Sequence, residues 1–432
     1  MIWNETTECM SRDQMHHIQT QRLKETVSRV YQNVEFYRKK MQAMGIEPGD
    51  IKDADDIVKL PFTVKKDLRD NYPYGLLSAH RSEIVRLHAS SGTTGKPIVI
   101  GLTRKDVNIF AEIVARAICS AGGTRDDIVQ VAYGYGLFTG GLGLHYGAEN
   151  LGATVVPISG GNTAKQMTLM QDFGATILAC TPSYAAHIAE SLHAAGVDTE
   201  KLPLRIGIFG AEPWSEEMRH RIEEGLHIEA HDIYGLSEVM GPGVACSCSM
   251  HDGLHIAEDH FMPEVIDPDT LEPVKDGTMG ELVFTTITKE GMPLLRYRTR
   301  DLSSLTHEKC ECGRTNVRMS KIMARSDDML IIRGVNVFPS QVESVLMNIP
   351  EATTNYMLIV DRKGTMDTLE IQLELNEEYM SDEISEINRV RNNIKQKVES
   401  VLGISVIINP VERKTIERSE GKARRVIDRR KI

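Results

Sequence analysis

Apolar side chains recur at Leu23, Val27, Val30 and Val34 among charged and amide residues, a three-to-four spacing that predicts a helix from about residue 12 to Gly45. Further along, Ile84–Leu87 and Pro97–Ile100 read as short strands and Asp106–Cys119 as a helix. From residue 128 short apolar runs alternate with helical patterns. Strands are predicted at Ile128–Tyr133, Ala153–Pro157, Thr176–Ala179, Leu204–Phe209 and His227–Ala230, and helices at Thr163–Phe173, Tyr184–Ala195 and Glu216–Gly225. Repeated βα units of this kind predict an α/β fold with a mostly parallel sheet covered by helices on both faces. Such folds bind ligands at the carboxyl ends of their strands. The segments Gly210-Ala-Glu-Pro213 and Asp232-Ile-Tyr-Gly-Leu-Ser-Glu238 lie at such ends.

After residue 245 the pattern becomes strand-rich, with turns at Gly253, Gly277 and Gly280 and the clearest strand at Gly280–Thr286. A separate α+β unit is expected from the stretch beginning at Asp327. It holds a helix at Gln341–Met347, strands at Tyr356–Val360 and Leu369–Glu374, and a long helix with Ile384, Ile387, Val390, Ile394, Val398 and Val401 on one stripe, stopped at Gly403. The expected division is therefore a large domain over residues 1–325 and a small one over 326–432.

Composition narrows the functional classes. A net charge of -11 argues against nucleic acid as a partner, because no basic surface is large enough to neutralise several phosphates. Basic residues gather only near the C-terminus, at Lys422, Arg424, Arg425, Arg429, Arg430 and Lys431. The N-terminal segment has neither a basic stretch nor an apolar core of a signal, and no window approaches the ~18 apolar residues of a membrane span. A cytoplasmic protein without a membrane partner is expected.

The chemistry starts at Ser90–Pro97, where Ser91, Gly92, Thr93, Thr94, Gly95 and Lys96 leave almost no side-chain bulk between two strands. Backbone N–H groups of such a loop can converge on an anion, and its hydroxyls add donors, so a triphosphate suits it. It is not a Walker loop, since Lys96 is followed by Pro97 and a β-branched run rather than by Ser or Thr opening a helix. The glycines of Gly134–Gly143 likewise miss dinucleotide-fingerprint spacing. Two cysteine pairs, Cys246-Ser-Cys248 and Cys310-Glu-Cys312, have His251, His255, His260 and His307 nearby. Taking Asp252-Gly253 as a two-residue hairpin turn puts Met250 opposite His255. Strand alternation then groups Cys246, Cys248 and His255 on one face and His251 on the other. The expectation is a structural tetrahedral zinc site of Cys248, His255, Cys310 and Cys312, with Cys246 as the competing ligand.

Four segments together resemble the adenylate-forming acyl-CoA synthetases. Ser90–Pro97 resembles their ATP-phosphate loop, Tyr234-Gly-Leu-Ser-Glu238 their nucleotide and magnesium motif, Tyr297-Arg-Thr-Arg-Asp301 their ribose motif, and Ser419-Glu-Gly-Lys-Ala-Arg-Arg425 their mobile C-terminal lysine motif. Within that superfamily Gly210-Ala-Glu-Pro-Trp-Ser215, Glu258-Asp-His-Phe261 and Arg325–Pro339 resemble the phenylacetate-CoA ligases, although Ala257 stands where those often carry Trp.

The resemblance implies ligation of an arylacetic acid, phenylacetate first, to coenzyme A through an acyl adenylate, in a homodimer. It implies that Lys96 and the loop from Ser91 to Gly95 hold the β- and γ-phosphates, that Glu238 holds magnesium, and that Asp301 accepts the ribose hydroxyls with Arg325 beside it. Adenine is assigned to Gly210, Ala211 and Glu212 on one side and Asp232, Ile233 and Tyr234 on the other. Lys422 is implied as the catalytic lysine of a mobile C-terminal domain, Asp327 as the hinge, and Gly334 as lining the coenzyme A tunnel. An acyl slot is expected from Tyr133, Tyr135, Phe138, Gly140, Gly141, Ile233 and Pro242, the glycines making room for a flat ring. Two other readings stay open: an adenylating enzyme that passes its acyl group to a carrier-protein thiol or an amine, and a nucleotide-binding protein without turnover.

Overall fold

The computed structural model describes residues 1–90, 97–322, 324–325, 330–333, 335–363, 366–379, 384–418 and 425–430. The N-terminal helix expected as one is two, Arg12–Asn33 and Glu35–Ala43, because Val34 between them is extended and buried. A capping box between Ser11 and Gln14 starts the first. Leu23, Val27 and Val30 bury their stripe together with Tyr37 and Met41 from the second.

A nine-stranded sheet organises the molecule. Strands Thr154–Val156, Ile128–Val131, Ile177–Cys180, Ile206–Gly210 and Glu229–Tyr234 lie side by side and parallel. Beyond Tyr234 the sheet turns antiparallel through Ala245–Ser247, Leu254–Ile256, Arg318–Met319 and Leu305–Thr306. Side-chain alternation sorts the parallel strands into two cores. Val129, Val131, Ile177, Ala179, Ile206 and Ile208 pack with Phe110, Val114 and Ile118 of helix Arg104–Ser120. Leu178, Cys180 and Phe209 face the other way, onto helices Pro182–Ala194 and Glu216–Leu226. The strand expected at His227–Ala230 starts later, since His227 takes the left-handed conformation that ends the preceding helix.

A four-stranded antiparallel sheet of Phe261–Ile266, Gly280–Thr286, Tyr297–Ser303 and Ala324–Arg325 stands beside the first. The C-terminal region builds its own sheet, in which the antiparallel pair Ala352–Lys363 and Met366–Leu375 is flanked by the parallel strands Val426–Asp428 and Ile407–Val411. Helix Ile384–Leu402 covers it and ends at Gly403, whose φ is 68°. Its buried stripe is Val390, Ile394, Val398 and Leu402, each four residues from the last, which leaves Val401 exposed rather than on the stripe. Helix Pro339–Met347 packs against Glu216–Leu226. There Arg221 donates to the carbonyls of Met347 (2.7 Å) and Ala352 (3.3 Å), and Glu217 accepts from Ser344 (3.2 Å) and Asn348 (3.0 Å). Among the described residues no helix is long and apolar enough to cross a membrane.

Candidate active site

The parallel strands end at a cavity of about 660 Å³ lined by Tyr133, Gly210–Trp214, Asp232–Glu238, Tyr297, Thr299, Asp301 and Arg325. Two close backbone approaches shape it. A Cβ on Gly210 would stand 2.1 Å from the carbonyl oxygen of Ile233, so only glycine lets these neighbouring strand ends meet. A Cβ on Gly235 would stand 1.7 Å from the carbonyl oxygen of Gly241, which closes the loop carrying Ser237 and Glu238.

Strand Tyr297–Ser303 alternates strictly. Tyr297, Thr299 and Asp301 face the cavity, whereas Arg298 and Arg300 point away to Glu281, Arg298 at 2.6 Å and Arg300 at 3.3 Å. Asp301 is 4% exposed and held from two sides: Tyr234 Oη donates to Oδ2 at 2.6 Å, and Arg325 Nη1 to Oδ1 at 3.0 Å. Burial, then the Asp301 charge, pushes the Tyr234 phenol well above its ordinary value, so it stays a donor. A fixed carboxylate at the edge of a cavity is an acceptor pair for a diol.

Glu212 and Asp232 belong to the wall, but their carboxylates are engaged. Glu212 Oε1 accepts from the N–H of Ser183, in the first turn of helix Pro182–Ala194, at 2.8 Å. Asp232 accepts from Trp214 Nε1 at 2.5 Å, and Lys321 Nζ lies 3.4 Å from its other oxygen while stacking over the Trp214 ring at 4.1 Å. Burial raises the Asp232 pKa against the pull of Lys321. Backbone atoms of both segments are therefore what they offer a flat ring.

The Glu238 side chain is 6% exposed and lines the cavity. Behind it, buried Lys289 donates to the carbonyls of Glu238 and Val239, each at 2.9 Å. Burial lowers the Lys289 pKa from its ordinary 10.5 to about 8. The two residues after it are tied down as well, the N–H groups of Glu290 and Gly291 donating to Asp106 at 2.7 and 2.8 Å. On the same loop Ser237 Oγ meets Thr139 Oγ1 at 3.0 Å. Sequence reasoning missed Lys289, which stands next to Glu290 in a mixed stretch and reads as an ordinary surface charge. Trp214 and Thr299 stood inside quoted motifs without a role, and Thr139 and Lys321 carried no signal.

Of the expected acyl slot, Tyr133, Phe138, Gly140, Ile233 and Pro242 line the cavity. Tyr135 and Gly141 do not. Tyr135 turns to His145, 3.3 Å from Oη to Nδ1, and a Cβ on Gly141 would meet the carbonyl oxygen of Gly134 at 2.7 Å, in the packing of the helix start. Ser90 closes the base of its loop through two hydrogen bonds with Ile98, at 3.0 and 3.1 Å. Ser91, Gly92, Thr93, Thr94, Gly95, Lys96, Asp327, Gly334 and Lys422 lie outside the described residues.

Away from the cavity, Cys248, His255, Cys310 and Cys312 bring one ligand atom each within 4.8 Å of one another. Cys248 Sγ and Cys310 Sγ are 3.8 Å apart, close to the edge of about 3.8 Å that Zn–S bonds of ~2.3 Å give a tetrahedron. Cys312 Sγ lies 3.4 Å from His255 Nε2. The hairpin differs from the expected one. Cys246, not Met250, pairs with His255, and residues 248–253 form a longer loop, because Gly253 must pass 2.7 Å (at its Cβ position) from the carbonyl oxygen of Met319 in the next strand. The Cys246 thiol is buried in the apolar core, which pushes its pKa up to about 11. Cys312 is tied through Arg314 (3.7 Å) to Glu8 (2.6 Å) of the N-terminal segment.

The parallel sheet ending at a cavity with a buried carboxylate clamp, and the separate C-terminal sheet, belong to an AMP-binding enzyme. Residues 16–288 match the family model for AMP-binding enzyme, and 334–430 match AMP-binding enzyme C-terminal domain. The phenylacetate-coenzyme A ligase of Thermus thermophilus is 49% identical over 445 residues, covering 100% of both chains. That of Aromatoleum evansii is 50% identical, covering 99% of this chain and 97% of its own. The chain belongs to the phenylacetate-coenzyme A ligase family. Among solved structures, 2-hydroxyisobutyryl-CoA ligase in the postadenylation state, with its acyl adenylate bound, is 28% identical with a TM-score of 0.93, covering 98% of this chain and 92% of that one. The same ligase with coenzyme A in the thioesterification state scores 0.73 over 98% of this chain and 91% of that one.

Proposed function

We propose that this protein joins an arylacetic acid, phenylacetate foremost, to coenzyme A in two steps, with ATP cleaved to AMP and pyrophosphate. The Asp301 clamp carries the reading: a carboxylate gripped by Tyr234 and Arg325 shares one cavity with Glu238 and with the apolar slot of Tyr133, Phe138, Gly140, Ile233 and Pro242. Ribose fits the first, an aryl ring the last, and the reacting carboxylate falls between.

A carboxylate is a poor electrophile, so it attacks the α-phosphorus of ATP before thiol displaces AMP. The rate then rests on positioning and on charge neutralisation. Lys96 and residues 91–95 hold the departing pyrophosphate end, and Lys422 stabilises charge growing between the acid and the α-phosphate. Glu238 would hold magnesium, a hard cation suited to carboxylate and phosphate oxygens; bound there it would neutralise phosphate charge. The thiols of Cys248, Cys310 and Cys312 with His255 suit a closed structural zinc site, which would fasten the N-terminal segment through Arg314. The C-terminal domain, from residue 326, closes for adenylation and turns about Asp327 so that Gly334 meets the pantetheine arm. The working form is a cytoplasmic homodimer.

Phenylacetate-dependent exchange of labelled pyrophosphate into ATP, followed by addition of coenzyme A, tests the reading. Exchange with arylacetates and conversion to a thioester with release of AMP are expected. Exchange without thioester formation would assign the acyl group to another acceptor, and no exchange with any acid would end the proposal.

A further inference from the structure

Apart from the cysteine cluster, Glu229, His231 and His251 form a separate group, with one ligand atom from each within 4.8 Å of the others. Glu229 and His231 sit two residues apart on the strand that ends at Tyr234, hence on one face, and the loop after Cys248 brings His251 over them. The two imidazoles stack, with centroids 5.0 Å apart and planes 24° apart. Both present Nε2 to the same carboxylate oxygen, Glu229 Oε1, His231 at 3.3 Å and His251 at 3.2 Å.

Two details separate this trio from an ordinary hydrogen-bonded cluster. His231 is 1% exposed, and among the described residues neither of its ring nitrogens makes a hydrogen bond in acceptable geometry, the Glu229 oxygen lying off the donor direction. A buried imidazole without a partner is costly. His251 Nε2 makes a hydrogen bond to Glu229 Oε1, and both spacings are longer than the about 2.7–2.9 Å of a charge-assisted hydrogen bond. They approach instead the ~3.4 Å edge of a tetrahedron built on metal–nitrogen and metal–oxygen bonds of about 2.1 Å.

We propose that Glu229, His231 and His251 form a second metal site, taking one borderline divalent transition-metal ion through two imidazoles and a carboxylate and leaving a position open to water. Two nitrogens and one oxygen select zinc, cobalt, nickel or copper over magnesium and calcium, which prefer all-oxygen shells. The ion gives His231 Nε2 the well-directed partner that the Glu229 oxygen, 3.3 Å away, does not supply. It also bolts the loop after Cys248 onto the strand that carries Asp232 and Tyr234 into the cavity.

The test is a titration of the full-length, metal-stripped, reduced protein with cobalt(II), followed by absorption. Two equivalents are expected to bind: one with the intense near-ultraviolet band of thiolate ligation from the cysteine cluster, and one that adds only weak visible bands. His251→Gln, at a side chain 25% exposed and so tolerant of change, is expected to lose the second equivalent and keep the thiolate band. Glu229→Gln checks the same loss from the carboxylate side. An absent thiolate band with a His251-sensitive equivalent retained would remove the cysteine site and leave this one standing. Identical cobalt stoichiometry and titration curves for the unaltered protein and both variants would overturn it.

Discussion

At the scale of single residues, the site depends on side chains held so that they cannot turn away. Asp301 keeps its carboxylate toward the cavity because Tyr234 and Arg325 grip one oxygen each. Tyr234→Phe removes a hydrogen bond to a charged group, worth about 1.5–3 kcal/mol, and is expected to raise the KM for ATP about 10- to 100-fold with a smaller effect on kcat. Steady-state kinetics with ATP varied would show it; an unchanged KM would mean that Asp301 needs no positioning. Lys289 acts one step further back. Lys289→Met leaves the Glu238 and Val239 carbonyls without their donor, so about 2–5 kcal/mol of stability should be lost along with Mg·ATP-dependent exchange. Its pKa adds a pH signature. Folding lowers it from 10.5 to about 8, so between those values the unfolded chain binds more protons, and this group makes stability rise with pH. Denaturant midpoints from pH 7 to 10 should show that contribution in the native chain and lack it in Lys289→Met. Asp301 and Glu238 could be found in the sequence because their motifs are contiguous. Lys289 could not be assigned, since its partners are backbone carbonyls about fifty residues away in the chain.

At the scale of elements, periodicity revealed the βα alternation and the strand ends at which the cavity lies. Boundaries were less legible. Strand Glu229–Tyr234 was expected to begin at His227, but a histidine in the left-handed conformation looks in sequence like any other polar residue. The hairpin register after Cys246 was likewise hidden, because a third strand, Arg318–Met319, sets it and not the Asp-Gly pair. The cavity wall expected as an acyl slot was only partly legible for a related reason. Tyr135 and Gly141 share a loop and helix start with residues that do line it, and which of them face inward depends on packing. The loop from Gly235 to Gly241 gives the element-scale prediction. Gly235→Ala pushes a methyl into the Gly241 carbonyl, so the loop must open. Exchange activity should fall by at least about 100-fold while circular dichroism stays near that of the native chain. Near-normal activity would show that the close approach is dispensable.

At the scale of the whole molecule, the described arrangement resembles one state of a solved relative more than it resembles another. It matches the postadenylation state at a TM-score of 0.93 and the thioesterification state at 0.73. Helix Glu216–Leu226 meets the C-terminal region through helix Pro339–Met347 and the residues after it, and Arg221 makes the shortest of these hydrogen bonds, 2.7 Å to the Met347 carbonyl. Arg221→Ala should therefore bias the C-terminal region away from it. The expectation is about a tenfold loss in pyrophosphate exchange, with conversion of supplied phenylacetyl adenylate and coenzyme A to thioester kept within a factor of about two. Equal loss of both half-reactions would contradict a two-arrangement cycle. The sequence pointed to a C-terminal domain, matched over 334–430, but not to how it docks, since the docking residues are spread over segments with no motif in common.

The central claim is that the acid is activated on the α-phosphorus of ATP before the thiol arrives. The most direct measurement uses phenylacetate labelled with oxygen-18 in its carboxylate, with ATP and coenzyme A, and mass spectrometry of the products. One labelled oxygen is expected in AMP and one in the thioester carbonyl. Label in inorganic phosphate with formation of ADP, or none in any nucleotide, would contradict the account.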